Sequence, residues 1–126
     1  MTFALGTRSK ENLSGVHPDL VAVVELAIKL TEQDFLVIEG MRTVERQKKL
    51  LAEGKSKTMK SRHLTGHAVD LCPYPVDWED HEKFKVIAKA MKAAAEDLGI
   101  SIEWGGDWKN GWDKPHYQLT HKDYPQ

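Results

Sequence analysis

Two short stretches concentrate the side chains that can do chemistry: SRHLTGHAVD (Ser61 to Asp70) and WDKPHYQ (Trp112 to Gln118). On an extended chain, residues two apart share a face. Ala68, Asp70 and Cys72 therefore point one way and Val69 and Leu71 the other, while His116 and Gln118 share one face of a second strand opposite Tyr117 and Leu119. A carboxylate between Val69 and Leu71 must be solvated or paired to avoid the cost of burial. If His63, on the loop entering the first of these strands, turns toward that face, then His63, Asp70 and His116 bring together two imidazoles and one carboxylate. That is the ligand set of a catalytic zinc with one position left for water. The His-Glu-x-x-His helix, another arrangement that binds catalytic zinc, is absent from the sequence.

Each of these residues also has an ordinary role. Six histidines in the chain make chance pairs common. Asp113, three residues before His116, can stabilise a turn with its side chain. Gly66 can act as a backbone hinge, and Trp104, Trp108 and Trp112 as core or lid residues. His67 is four residues from His63, but the adjacent glycine and the strand pattern that follows argue against a helix pairing them, which leaves His67 behind the ligands. Cys72, on the face of Asp70, could close the site as a fourth ligand and make the zinc structural.

The elements that must position these residues are legible from periodicity. A first helix starts near Pro18 and carries Leu20, Val23, Val24, Ala27 and Leu30 at three- and four-residue steps. Phe35 to Ile38 reads as a strand closed by Gly40; a second helix is capped by Thr43, contributes Leu50 and Leu51, and ends at Gly54. Lys55 to Thr65 reads as loop and His67 to Leu71 as a strand ended by Pro73 and Pro75. In the third helix Phe84, Ile87, Ala88, Met91, Ala95 and Leu98 form one stripe stopped by Gly99. Ile100, Ile102 and Trp104 alternate as a strand, a loop runs from Gly105 to Asp113, and Pro115 to Leu119 form the last strand. Residues 1–14 lack periodicity and read as an arm lying on the body or a frayed end. The expected class is α+β: a small antiparallel sheet packed with about three helices, a single domain over residues 1–126, with the zinc site on the sheet face.

Eighteen Lys+Arg against nineteen Asp+Glu leave a net charge of −1, so no basic surplus exists to hold a nucleic acid or an anionic membrane. One cysteine excludes an intramolecular disulfide. No stretch approaches the roughly 18 apolar residues of a membrane span, and the first fifteen residues lack the apolar centre of a signal peptide. A monomer without a membrane anchor is expected.

SRHLTGHAVD resembles the Ser-x-His-x-x-Gly-x-Ala-x-Asp signature of the zinc peptidases that include VanY-type D-alanyl-D-alanine carboxypeptidases and the L-alanyl-D-glutamate endopeptidases of bacteriophage endolysins. WDKPHYQ resembles its partner motif, an acidic residue, two residues, then His. GVHPDLVAVVELAI (Gly15 to Ile28) and EGMRTVERQKKLLAEGKS (Glu39 to Ser56) are similar to the first helix and the arginine-bearing turn of the endolysin branch. The likeness runs from Thr7 to Leu119. It implies that His63, Asp70 and His116 hold zinc, that Asp113 is the catalytic carboxylate, and that Arg42 faces the substrate or the developing oxyanion. Ser61 and Gln47 would support the ligands or the substrate. The D-Ala-D-Ala dipeptidase branch carries Glu where Asp113 stands.

The implied activity is cleavage of the L-Ala-D-Glu bond in peptidoglycan stem peptides. The implied setting is a phage lysin held in the host cytoplasm until release to the wall or periplasm, with no separate cell-wall-binding domain. Two alternatives stay open. A D-alanyl-D-alanine carboxypeptidase would require a cationic receptor for the terminal carboxylate. A non-catalytic zinc-binding interaction module, as in hedgehog signalling domains, is disfavoured by Asp113 and Arg42 together.

Overall fold

The computed structural model describes residues 2–55, 61–111 and 113–125, so part of the expected loop after the second helix and Trp112 lie outside the described residues. The elements are α1 (Thr7–Asn12), α2 (Pro18–Leu30), β1 (Phe35–Glu39), α3 (Val44–Ala52), β2 (Ala68–Pro73), α4 (His81–Leu98), β3 (Ile102–Trp104) and β4 (His116–Leu119), with 3-10 turns at Arg62–Thr65, Gly105–Asp107 and Lys109–Gly111. The strands form one antiparallel sheet in the order β1-β2-β4-β3. The α+β expectation holds.

Strand alternation divides the sheet into two chemical faces. Val69, Leu71, Tyr117 and Leu119 are buried in the main core with Leu20, Val23, Val24 and Ala27 of α2 and Phe84, Ile87, Met91 and Ala95 of α4. Burying each large apolar side chain contributes about 1.5–3 kcal/mol, so this face supplies most of the drive to fold. Ala68, Cys72 and Leu50 are buried outside that cluster. Asp70, His116 and Gln118 alternate with the core residues along β2 and β4, which turns them toward the other face.

Several boundaries differ from the periodic reading. Leu30 and Leu98, expected on apolar stripes, are the last residues of α2 and α4 and are exposed, because there the stripe runs past the elements it packs on. Leu51 is likewise exposed while Leu50 is buried. Ile100 does not join β3, since its N–H closes the end of α4 on the Ala95 carbonyl at 2.9 Å and Gly99 takes the left-handed conformation there.

The N-terminal arm is ordered as α1 and lies on the open edge of β1. The Val37 N–H donates to Ser9 Oγ at 3.0 Å, and Asn12 Nδ2 donates to the Val37 carbonyl at 2.8 Å. Two side chains thus satisfy the backbone that a neighbouring strand would otherwise pair, which protects the edge. Gly40, just after β1, lies so close to the arm that a Cβ there would overlap the Asn12 carbonyl and crowd Val16.

Gly40→Ala should therefore destabilise the protein by about 1–3 kcal/mol through overpacking against backbone that cannot swing away. Thermal denaturation should show the midpoint falling by at least about 3 °C. An unchanged midpoint would mean that the arm does not pack on Gly40.

Candidate active site

Asp70 and His116 face each other directly across β2 and β4. His63 reaches the same point from the 3-10 turn at Arg62–Thr65, whose start is capped by Ser61 Oγ accepting from the His63 N–H at 3.3 Å. The neighbouring Arg62 holds the turn against the end of the sheet, donating from Nη2 to the carbonyls of Leu119 at 2.9 Å and Tyr124 at 2.8 Å. Asp70 Oδ1 then lies 3.2 Å from His63 Nε2 and 3.2 Å from His116 Nδ1. The ligand atoms of the three residues lie within 4.8 Å of one another, a group able to hold a metal ion.

The nitrogens that face away from this point are both occupied. His63 Nδ1 lies 2.8 Å from the Gly40 carbonyl, and His116 Nε2 lies 2.8 Å from Gln118 Oε1. An oxygen acceptor on the outer nitrogen places the ring proton there and leaves the inner nitrogen's lone pair for a cation. The arm and the bulge near Val37 and Glu39 of β1 therefore reach the site through the Gly40 carbonyl.

Arg42 stands beside this group on the loop between β1 and α3. Its N–H donates to the His63 carbonyl at 2.8 Å, its Nε to Glu39 Oε1 at 2.7 Å and its Nη1 to Gln47 Oε1 at 2.7 Å. Gln47 is fully buried on α3, a helix started by Thr43 Oγ1 accepting from the Arg46 N–H. Asp113 joins the group with Oδ2 4.0 Å from His116 Nδ1. Its backbone fits only because Gly105 lacks a side chain, since a Cβ there would overlap the Asp113 carbonyl. Trp104 Nε1 donates to the Lys114 carbonyl at 2.7 Å and pins the next residue.

Electrostatics distinguish the two carboxylates. Burial works against ionisation of Asp70, but hydrogen bonds and charge from His116 and His63 outweigh it and hold that carboxyl well below the usual range. Asp113 is shifted the other way. Burial raises it, and the like charge of Asp70 adds to this against the pull of His116, His63 and Arg42. His116 is raised in spite of burial because Asp70 and Gln118 favour its protonated form. A cation entering the group would compete with those protons, so metal uptake should release them.

Most of the singled-out residues converge here, but with differing parts. Ser61 caps the turn that carries His63, and Gln47 meets Arg42. His67 does not stand behind the ligands: its Nδ1 meets Thr65 Oγ1 at 2.6 Å and its ring lies 5.6 Å from that of His17. Cys72 is absent from the ligand group among the described residues; its thiol donates to the Pro73 carbonyl at 3.5 Å and is pushed up by burial. The tryptophans divide, with Trp104 stacked on Tyr117 in the core and Trp108 5.3 Å from the His116 ring. Three parts of the site are not legible as such in the sequence: Glu39, which holds Arg42; the Gly40 carbonyl; and Gln118, for which strand alternation gives the face but no role. An acidic residue three before an arginine was the available signal for the first.

Comparison with known proteins identifies the family to which the chain belongs. The family described as phage L-alanyl-D-glutamate peptidase matches residues 1–123. The chain is 37% identical over 119 residues to the L-alanyl-D-glutamate peptidase of Escherichia phage T5, covering 90% of this chain and 87% of that protein. It is 34% identical over 130 residues to the L-alanyl-D-glutamate peptidase of Listeria phage A118, covering 98% of this chain but 45% of the longer relative. The crystal structure of the Serratia marcescens L-Ala D-Glu endopeptidase ChiX superposes with a TM-score of 0.92 at 48% identity, over 99% of this chain and 96% of that one. The vancomycin-resistance D,D-dipeptidase VanXYg, at 17% identity and a TM-score of 0.52 over 82% of this chain and 50% of that one, shares the fold. With nearly its whole length matched by that family, the chain belongs to the phage L-alanyl-D-glutamate peptidases.

Proposed function

We propose that this protein is a zinc-dependent peptidoglycan endopeptidase that hydrolyses the L-Ala-D-Glu bond of stem peptides and serves a phage in lysis of its host. The observation that carries this reading is the convergence of His63 Nε2, His116 Nδ1 and Asp70 Oδ1, each imidazole with its outer nitrogen already bonded, in a member of this family. Two imidazole nitrogens and one carboxylate oxygen suit zinc better than calcium or magnesium, which prefer all-oxygen shells. Zinc held there supplies Lewis acidity to the scissile carbonyl and lowers the pKa of the attacking water to about 7.

The chain's own groups do the rest. Asp113 takes the proton from the attacking water and returns it to the leaving amine. Its raised carboxyl suits both halves of that transfer better than the strongly acidic Asp70. Arg42 faces the negative charge that develops on the carbonyl oxygen. Because Glu39 and Gln47 fix two of its nitrogens, the guanidinium is oriented beforehand and little reorganisation accompanies the reaction. Amide hydrolysis fits better than glycan cleavage, because Asp70 is engaged by both imidazoles and is not available as a glycosidase nucleophile. No helix among the described residues is long and apolar enough to cross a membrane.

Asp113→Asn tests the proton-transfer role. At this turn the His116 N–H donates to the backbone carbonyl of Asp113 at 3.1 Å, so the amide should leave the turn in place. Zinc content and thermal midpoint should stay near wild type while wall-lytic rate falls by about 10²- to 10⁴-fold. A folded, zinc-loaded variant lysing wall at the wild-type rate would assign Asp113 to the turn alone.

The scissile bond is tested by digesting purified peptidoglycan and identifying the products by mass spectrometry. Stem fragments with a new amino-terminal D-Glu, and no new reducing ends, are expected. Release of terminal D-Ala alone would make the protein a carboxypeptidase.

A further inference from the structure

We propose that Gln118 is the residue that fixes which nitrogen of His116 faces the metal, a positioning role that rests on the zinc site proposed above. His116 lies between two oxygen atoms, Asp70 Oδ1 at 3.2 Å from Nδ1 and Gln118 Oε1 at 2.8 Å from Nε2. A neutral imidazole carries one proton and can satisfy only one of them as a donor. If the proton sits on Nδ1, it bonds Asp70 and no lone pair faces the group. If it sits on Nε2, it bonds Gln118 and Nδ1 is open beside Asp70 and His63. The shorter contact to Gln118 favours the second arrangement.

The fold makes this contact hard to avoid. Gln118 follows His116 by two residues on β4, so both side chains leave the same face. Gln118 is buried and pairs in register with Ala68 on one side and Glu103 on the other, and the small Ala68 leaves room on its flank. His63 receives the equivalent support from the Gly40 carbonyl, which no side-chain substitution can remove. Gln118 supplies the same kind of acceptor through a side chain that can be changed.

The neutral amide also has a chemical consequence. A carboxylate in its place would make the imidazole a stronger donor, but it would add negative charge to a site that already holds Asp70 and Asp113. Gln118 thus orients the ring without taking Lewis acidity from the metal.

The test compares zinc affinity in wild type, Gln118→Met and Gln118→Glu by competition with a chromophoric chelator, alongside the thermal midpoint of each metal-free protein. Methionine is close to glutamine in size and cannot accept from His116, so Gln118→Met should bind zinc about 10- to 100-fold more weakly. Gln118→Glu keeps the acceptor; it should bind zinc at least as tightly as wild type and turn over more slowly. In zinc-loaded wild type, long-range ¹H–¹⁵N correlations should place the His116 ring proton on Nε2, a result that does not depend on any variant folding. Wild-type affinity in Gln118→Met, affinity in Gln118→Glu as weak as in Gln118→Met, or a proton on Nδ1 would each overturn the proposal. Wild type failing to bind zinc in the same titration would instead overturn the zinc site itself.

Discussion

Asp70 stands on an interior strand of the sheet with most of its side chain out of contact with water, and a carboxylate in that position has to be compensated where it stands. Two imidazoles do this, one from the directly opposed residue of β4 and one from the turn that leads into β2. Removing one partner of such a buried set typically costs about 3–5 kcal/mol, as much as truncating a large core side chain. The site is therefore part of what the fold must satisfy. Much of the surrounding structure holds the two imidazoles in place: Ser61 and Arg62 set the turn, the Gly40 carbonyl turns His63, and Gln118 turns His116.

The groups assigned to proton transfer and charge stabilisation come from separate loops that meet over this centre. Arg42 belongs to the loop entering α3, where the Glu39 and Gln47 contacts fix it. Asp113 belongs to the loop between β3 and β4, where Gly105 admits its backbone and Trp104 anchors its neighbour. Two strands and the capped turn entering β2 thus carry the candidate metal ligands, and loops anchored to the core carry the groups that would face the substrate. That division lets loop changes alter substrate choice without disturbing the metal set.

The fold and the ligand set were readable because both depend on short-range pattern. The alternation Val69-Asp70-Leu71 and His116-Tyr117-Gln118 separates a core face from a polar face, and the stripes on α2 and α4 need only a count of three and four. The resemblance then joined two stretches that are distant in the chain. Parts that depend on close approach between remote segments were not readable. The six-residue α1 is too short to show a stripe, and its purpose appears only when Ser9 and Asn12 meet Val37 some twenty-five residues later. The need for glycine at positions 40 and 105 comes from backbone passing beside them. The spacing of His67 from His63 carries no information about which way the ring turns after a left-handed Gly66, so its place is not legible in the sequence.

The claim on which the rest turns is that one metal ion is held by the inner nitrogens of the two histidines together with Asp70. Anomalous diffraction at the zinc edge, from crystals of protein loaded with one equivalent of zinc, measures this directly. The account predicts a single strong peak about 2.0–2.2 Å from His63 Nε2, His116 Nδ1 and a carboxylate oxygen of Asp70, with the fourth position open to solvent. A peak bonded to His63 Nδ1 or His116 Nε2, a site completed by Cys72 Sγ, or no peak among these three residues would contradict it.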